Sequence, residues 1–306
     1  MMQSALTFGH SPSTLKLGDL EVVRFGFGAM RLPGPEVWGE PEDPARAREV
    51  LRRVVALGMN LIDSAWYYGP HVANRLIAET LYPYPKDLVI ASKLGGKRLP
   101  NKGWAPFLRP EELREGCETD LRELRRETLD VVHLRYMGKG SPVPFAECLD
   151  TMLALQREGK IRHIGLSNIG PDELTFALTR TPIVSVQNMY SVSGGSSAIA
   201  RVTHSEVEAP EKVLDLCTEH GIAYMPFFPL GIGAHARPGA TVESAAKRHG
   251  VKPAQLALAW LLSRSPIMLP IPGTSRPEHL EENWASRTIR LSPEEVSSIE
   301  AAARAE

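Results

Sequence analysis

Residues 60–76 read NLIDSAWYYGPHVANRL. A short apolar run ends at Asp63, and two adjacent tyrosines, Tyr67 and Tyr68, follow at once. Whether either phenol is a chemical group depends on the kind of element Asp63 terminates and on which other ends lie beside it.

Runs of the same kind recur along the chain: VVRFGFG (22–28), LIDSA (61–65), LVIASK (88–93), DVVHL (130–134), IRHIGLS (161–167), IVSVQN (183–188), IAYMPFF (222–228) and IMLPIPG (267–273). Their intervals of about 20 to 45 residues fit one strand, one helix and two loops. The segments between them carry helix signals. PARAREVLRRVVALG opens on proline, sets Val50, Leu51, Val54 and Val55 along one stripe and closes on Gly58. RPEELREGCETDLRELRRE, PFAECLDTMLALQREGK, PDELTFALTR, PEKVLDLCTEHG and RPEHLEENWA also begin at or beside proline, most with acidic first turns. SPEEVSSIEAAARA pairs Ser292 with Glu295 as a capping box and predicts an extra C-terminal helix. TLKLGDLEVV predicts an N-terminal β-hairpin turning at Gly18-Asp19. Eight buried strands alternating with helices imply a parallel sheet covered on both faces. Eight is also the number that closes a (β/α)8 TIM barrel, here as one domain over residues 1–306, with a doubly wound open sheet as the rival.

Composition narrows the function classes. The 306 residues are 43% hydrophobic and 23% charged, with a net charge of −1. Near-neutrality gives no reason to expect nucleic acid or an anionic membrane as partner. AQLALAWLL is too short to span a bilayer, and the first residues lack a signal peptide's charged start and apolar core. Cys117, Cys148 and Cys217 are far apart, without a CxxC or Cys/His cluster, and read as buried small hydrophobes. The expectation is a cytoplasmic protein with no metal.

In a barrel, catalytic groups sit where strands end. The ends supply Asp63, Lys93 and His133, then Ser167-Asn168 and Gln187-Asn188. A phenol, with an ordinary pKa of about 10, exchanges protons poorly near neutrality. An ammonium beside it lowers that value, an aspartate holds the lysine, and a neutral histidine hydrogen-bonds the reacting oxygen. Such a set protonates a forming alkoxide and needs a separate reductant.

These residues resemble the aldo-keto reductases. GMNLIDSAWYYG is similar to that family's second-strand motif, where the catalytic tyrosine follows the aspartate by five positions, which selects Tyr68. IASKLG and LDVVHL resemble the segments carrying its lysine (Lys93) and histidine (His133). GKIRHIGLSN and VSVQNMYS resemble those that bind the nicotinamide carboxamide, through Ser167, Asn168 and Gln187. MPFFPLGIG takes the place of the nicotinamide-stacking segment, with Phe227 where tyrosine is common and Pro229, Leu230 and Gly231 following. LPIPGTSRPEHLEENWAS looks like the adenosine-phosphate loop and helix. Here the resemblance implies Gly273, Thr274, Ser275 and Arg276 around a 2′-phosphate, hence NADPH, with His279, Glu282 and Asn283 one turn onward.

FGFGAMR lacks the third glycine of a dinucleotide fingerprint. In the barrel reading Gly28, Ala29 and Met30 line the first strand's mouth. Trp66, Tyr67, Trp104, Phe107, Arg135 and Tyr136 are pocket candidates.

The implied activity is NADPH-dependent reduction of a small aldehyde or ketone. GPHVANRLIAETLYPYPKDLVIASKLG and FFPLG resemble the pyridoxal-reductase branch, making pyridoxal the first substrate and a secondary-metabolite carbonyl the second. Plainer readings stand beside these: rim aromatics for the tyrosines, a structural role for His133, a helix cap for Ser167-Asn168 and a surface charge for Arg276. Other functions are an NADPH-binding redox-sensing subunit, or a lyase forming a Schiff base on Lys93. Residues 95–110, 135–144, 191–210 and 231–240 read as long loops that set substrate choice.

Overall fold

In the computed structural model the described residues are 13–136, 140–192, 209–230 and 240–303. The predicted hairpin forms first: β1 (Thr14–Leu17) pairs antiparallel with β2 (Leu20–Val23), turning at Gly18, whose φ is +66°. Leu17 and Val22 plug the barrel floor, packing on Leu61, Val89, Ala91, Val131, Ala223, Met225, Leu269 and Ile271. The Asp19 carboxylate at the turn pairs with Arg162 and His163, fastening the plug to the barrel wall.

The barrel strands are β3 (Phe27–Gly28), β4 (Leu61–Asp63), β5 (Val89–Arg98), β7 (Leu129–Arg135), β8 (Ile161–Ser167), β9 (Ser185–Gln187) and β10 (Ala223–Tyr224). They pair in parallel in the order β3-β4-β5-β7-β8-β9-β10. Residues 267–273 supply the eighth stave. On one side Tyr224 N donates to Ile267 O and Leu269 N to Tyr224 O; on the other Gly26 N donates to Pro270 O and Gly28 N to Pro272 O. Pro270 and Pro272 have no N–H to return, so this stave closes the barrel without a full ladder. Arg24 reinforces the seam, its Nε donating to Met268 O at 3.0 Å.

Helices cover the outside: α1 (Pro44–Ala56), α2 (Val72–Leu81), α3 (Pro110–Glu123), α4 (Phe145–Arg157), α5 (Pro171–Leu178), α6 (Pro210–His220), α7 (Ala240–Arg248), α8 (Pro253–Arg264), α9 (Pro277–Ala285) and α10 (Pro293–Ala303). The α1 stripe buries Val50, Leu51 and Val54, and Asp43 caps it by accepting from Arg46 N at 2.9 Å. The capping box at Ser292 and Glu295 forms as expected, with Ser292 N donating to Glu295 Oε2 at 3.0 Å and Glu295 N to Ser292 Oγ at 3.2 Å. The three cysteines are buried free thiols. Among the described residues no helix is long and apolar enough to cross a membrane.

One expectation is corrected. Residues 95–110 are a folded arm, not an irregular loop: β5 runs on past the barrel to Arg98, and β6 (Trp104–Phe107) pairs back on it antiparallel. Gly95 and Gly96 hid the strand alternation. Buried Arg98 pins the arm, donating to the Val37, Glu36 and Lys102 carbonyls between the rings of Trp38 and Trp104.

Candidate active site

Strand alternation turns every second residue inward. On β7 the inward column is Val131, His133, Arg135. Val131 belongs to the apolar floor, His133 lies opposite Lys93 and Gly165, and Arg135 lies opposite Ser167, itself opposite Gln187. The interior therefore climbs from an apolar floor through a row at Lys93 and His133 to a mouth row of Arg135, Ser167 and Gln187.

Asp63 and Lys93 form a buried ion pair, 3% and 2% exposed. The Lys93 ammonium donates to both Asp63 carboxylate oxygens at 2.7 Å and to Ser64 O at 2.9 Å, which uses all three of its protons. Gln187 Nε2 adds a fourth contact, donating to Asp63 Oδ1 at 2.8 Å. Tyr68 follows on a tight turn, its N–H donating to Ala65 O at 3.0 Å, and the ammonium sits 5.1 Å from its ring centroid. The expected lowering of the Tyr68 pKa by Lys93 is not what the environment gives. Burial, then the Asp63 charge, drive it well above the ordinary phenol range, with Arg135 opposing. Asp63 neutralises the lysine, so desolvation wins and the phenol stays protonated.

The second correction concerns His133. It is fully buried, with Nε2 at 2.9 Å from Ser185 Oγ and Nδ1 at 3.4 Å from Ser92 O. Gly165 makes the room: a Cβ there would lie 2.5 Å from His133 Cδ2. Burial, then the Lys93 charge, push the imidazole down to about 3, so it is neutral, as expected, and its two ring nitrogens are occupied by Ser185 and Ser92. The residue two positions on, Arg135, is a cation whose charge acts on both Tyr68 and Tyr67, Lys93 acting on Tyr67 as well. Strand period alone carries this signal: Arg135 ends the same inward column one step closer to the mouth.

Along the other side of the mouth, Ser167, Asn168, Gln187 and Phe227 of the expected cofactor residues lie on adjoining strand ends. Ser167 and Asn168 are buried, and Ser167 Oγ and Asn168 Oδ1 have no hydrogen-bond partner. Asn168 has φ +60°, a conformation asparagine tolerates, and its Nδ2 donates to Tyr136 O at 2.8 Å. It does not cap the next helix: α5 starts from Gly170, whose N–H is taken by Glu173. Phe227 continues β10, its N–H donating to Asn188 O at 3.0 Å, and Arg135 lies over its ring at 5.3 Å. Pro229 is buried and Leu230 half-buried; Gly231 lies outside the described residues.

Gly28 and Gly273 face each other across the seam, where a Cβ on Gly273 would come 2.4 Å from Gly28 O and one on Gly28 2.6 Å from Ile271 O. Close strand packing thus accounts for both glycines. Ala29 is fully buried and Met30 half-buried. Ser275 and Arg276 are exposed at the start of α9, where Thr274 Oγ1 accepts from Arg276 N at 3.1 Å. His279 is exposed, Glu282 is paired with Lys252, and Asn283 is buried with its carbonyl accepting from Ser286 Oγ.

Of the pocket candidates, Tyr67 is 1% exposed and meets Tyr68 and Trp104 edge-on. Trp66 is corrected: its indole fills the space over Gly116 of α3, outside the barrel. Phe107 packs against Trp66, and the Tyr136 hydroxyl donates to Val143 O at 3.3 Å. A supporting network had no sequence signal. Ser64 Oγ donates to Asn74 Oδ1 at 2.7 Å, Asn74 Nδ2 to Asp120 Oδ1 at 2.6 Å, and Ser92 Oγ to Asp120 Oδ2 at 2.7 Å. It braces the residues flanking Asp63 and Lys93 from behind, and burial raises Asp120 to about 7.

A barrel with these groups at the carboxyl ends of its strands defines an oxidoreductase of the aldo-keto type. The model of the Aldo/keto reductase family matches residues 24–304, and the chain belongs to that family. It is 42% identical over 298 residues to the pyridoxine 4-dehydrogenase of Escherichia coli, covering 96% of this chain and 99% of that protein. An uncharacterized oxidoreductase of Schizosaccharomyces pombe is 38% identical over 96% of this chain and 90% of its own. Among solved structures, an aldo-keto reductase from Klebsiella pneumoniae in complex with NADPH superposes with a TM-score of 0.73 at 27% identity, over 94% of both chains.

Proposed function

We propose that the chain uses NADPH to reduce an aldehyde to an alcohol, with Tyr68 as proton donor and the pyridoxal aldehyde as first substrate. The observation that carries this reading is the joining, at one mouth, of the Asp63–Lys93 pair under Tyr68 with the partnerless Ser167 Oγ and Asn168 Oδ1 beside it. Those two atoms suit a carboxamide, which brings both N–H donors and a carbonyl acceptor. Phe227 offers a face for a flat ring, and Ser275 and Arg276 stand exposed at a helix start, where an anion is favoured. NADPH, when bound, supplies the hydride that adds to the carbonyl carbon.

The protein's own residues handle the proton. Burial keeps the Tyr68 phenol neutral, so it donates to the carbonyl oxygen and gives up its proton as alkoxide develops. The phenolate left behind faces the positive charge of Arg135, while Asp63 offsets that of Lys93. Lys93 Nζ is engaged by Asp63 and Ser64 O, which favours this reading over a Schiff base on the lysine. Family membership and the similarity to a pyridoxine 4-dehydrogenase support the reaction class and the first substrate to try.

The test is NADPH oxidation with pyridoxal and a panel of aldehydes and ketones, for wild type and Tyr68→Phe. The expected result is a loss of roughly 10²–10⁴-fold in kcat with NADPH affinity kept. Equal rates would remove Tyr68 from the role. NADPH binding without turnover of any carbonyl would favour a sensor, and no NADPH binding would overturn the reading.

A further inference from the structure

Behind the Asp63–Lys93 pair lies a second buried carboxyl group that proton donation by Tyr68 does not use. Asp120 of α3 is fully buried, and so are Ser64, Asn74 and Ser92 around it. Its Oδ2 accepts from Ser92 Oγ at 2.7 Å and its Oδ1 from Asn74 Nδ2 at 2.6 Å. Both donors are neutral, and two neutral hydrogen bonds do not offset the burial of a full charge. Burial accordingly raises the carboxyl to about 7. An amide could bridge Ser92 and a turned Asn74 without that cost, whereas an acid adds a charge that can be present or absent.

The two serines set that charge beside the reacting groups. Ser64 follows Asp63; its carbonyl accepts from Lys93 Nζ at 2.9 Å, and its hydroxyl donates to Asn74 Oδ1 at 2.7 Å. Ser92 immediately precedes Lys93. Two charged groups act on Asp120: Glu123 of its own helix favours the protonated acid, and Lys93 of β5 favours the anion. The Cys117 thiol on the same helix and His71 at the start of α2 feel the Asp120 charge in return. Glu123 accepts from Asn74 Nδ2 at 3.3 Å and pairs with His71, whose side chain is 56% exposed. The network thus runs from the surface to the back of Lys93.

Lys93 and Asp63 cancel each other. With Asp120 ionised, one buried negative charge is left over; with it protonated, none is. The Tyr68 phenolate has to form against that surplus.

We propose that Asp120 is a positioning residue for the reduction, its charge setting, through Lys93, how readily Tyr68 gives up its proton. Reduction is faster with Asp120 protonated. The proposal rests on the carbonyl-reduction reading and concerns the regulation of that same site.

The experiment is the single-turnover rate of NADPH oxidation between about pH 5 and 9, with pyridoxal and with benzaldehyde, which has no ionisable group. Wild type is expected to slow by roughly two- to tenfold as pH rises through an inflection at about 7, the part of one phenol pKa unit that a developing proton transfer feels. Asp120→Asn keeps the shape of the side chain without its charge and should lose the inflection. Dividing variant by wild-type rates at each pH cancels any ionisation of substrate or cofactor. Two neighbours should move the inflection in opposite directions. Glu123→Gln removes a nearby negative charge and moves it down; Ser92→Ala removes a hydrogen bond to the carboxylate and moves it up. Those shifts leave Asp120 in place, so they decide the matter even where Asp120→Asn does not fold. A purely bracing Asp120 would lower rate or stability evenly across pH and leave the inflection where it is. That result overturns the proposal, as does a wild-type rate without the inflection. Should no carbonyl of the panel be reduced, carbonyl reduction itself falls and the proposal with it.

Discussion

Two rows of side chains inside the same barrel, about 6.6 Å apart by strand rise, treat their polar groups in opposite ways. In the lower row Lys93 gives three hydrogen bonds, and His133 engages Ser185 and Ser92. In the upper region Ser167 Oγ, Asn168 Oδ1 and Tyr67 Oη are buried without partners, and Arg135 meets no carboxylate among the described residues. Leaving a buried donor or acceptor unpaired costs about 1–3 kcal/mol. A fold keeps several such atoms at one opening where a bound molecule completes them. The lower row is satisfied within the fold, whereas the upper one keeps buried polar atoms without partners.

The largest break in that comparison comes from Lys93→Met. It strands the Asp63 carboxylate in the barrel with only Gln187 as donor. The expected loss is about 3–5 kcal/mol of stability in chemical denaturation, together with turnover. A denaturation midpoint equal to wild type would mean that the lower row is not structural. Gly165→Ala acts on the same row by crowding, since its Cβ would lie 2.5 Å from His133 Cδ2 and 2.9 Å from Ser185 Oγ. That substitution should cost about 1–3 kcal/mol.

His133→Gln sharpens the comparison through pH. The folded imidazole is held down to about 3, against 6.5 in the unfolded chain. Between those values the unfolded chain binds a proton that the folded protein refuses. Stability from this group is therefore complete above about pH 6.5 and is lost as pH falls, by at most about 1.4 kcal/mol per pH unit. Asp120, raised to about 7, has the opposite sign: the folded state holds the extra proton, so stability falls as pH rises from about 4 to 7. Subtracting the His133→Gln curve from wild type isolates the histidine. The variant should flatten the acid side of the stability curve. It should also leave the pH profile of kcat/KM without any lost inflection, and loss of one would return His133 to the reacting groups.

Much of this was legible in residue order. Alternating apolar runs and proline-led helices marked the barrel, and LIDSAWYYG with IASK marked the pair under Tyr68. What escaped depends on depth and direction. DVVHLR offers an imidazole and a guanidinium on one inward column, and the register with Gly165 and Ser167 places the guanidinium at the mouth. Trp66 sits beside two tyrosines in sequence yet turns outward to Gly116. Asp120 lies in an ordinary helix stretch, TDLREL, and joins the site only because α3 packs behind β5. The folded arm of residues 95–107 was masked because its two glycines, which admit Tyr67 and Arg135, read as loop.

The smallest expected effect is the most discriminating. Ser167→Ala removes a buried hydroxyl that has no partner in the free protein. A structural serine would leave its neighbours unsatisfied when deleted and lower stability. This one should leave stability unchanged or raise it by about 1 kcal/mol, because an unpaired buried hydroxyl is itself a cost. NADPH affinity, read by fluorescence titration, should fall by roughly three- to tenfold, the value of one neutral hydrogen bond. Opposite signs for stability and cofactor affinity mark an atom kept for a ligand. Loss of stability with unchanged affinity would place Ser167 in the scaffold and move the boundary between the two rows one step towards the mouth.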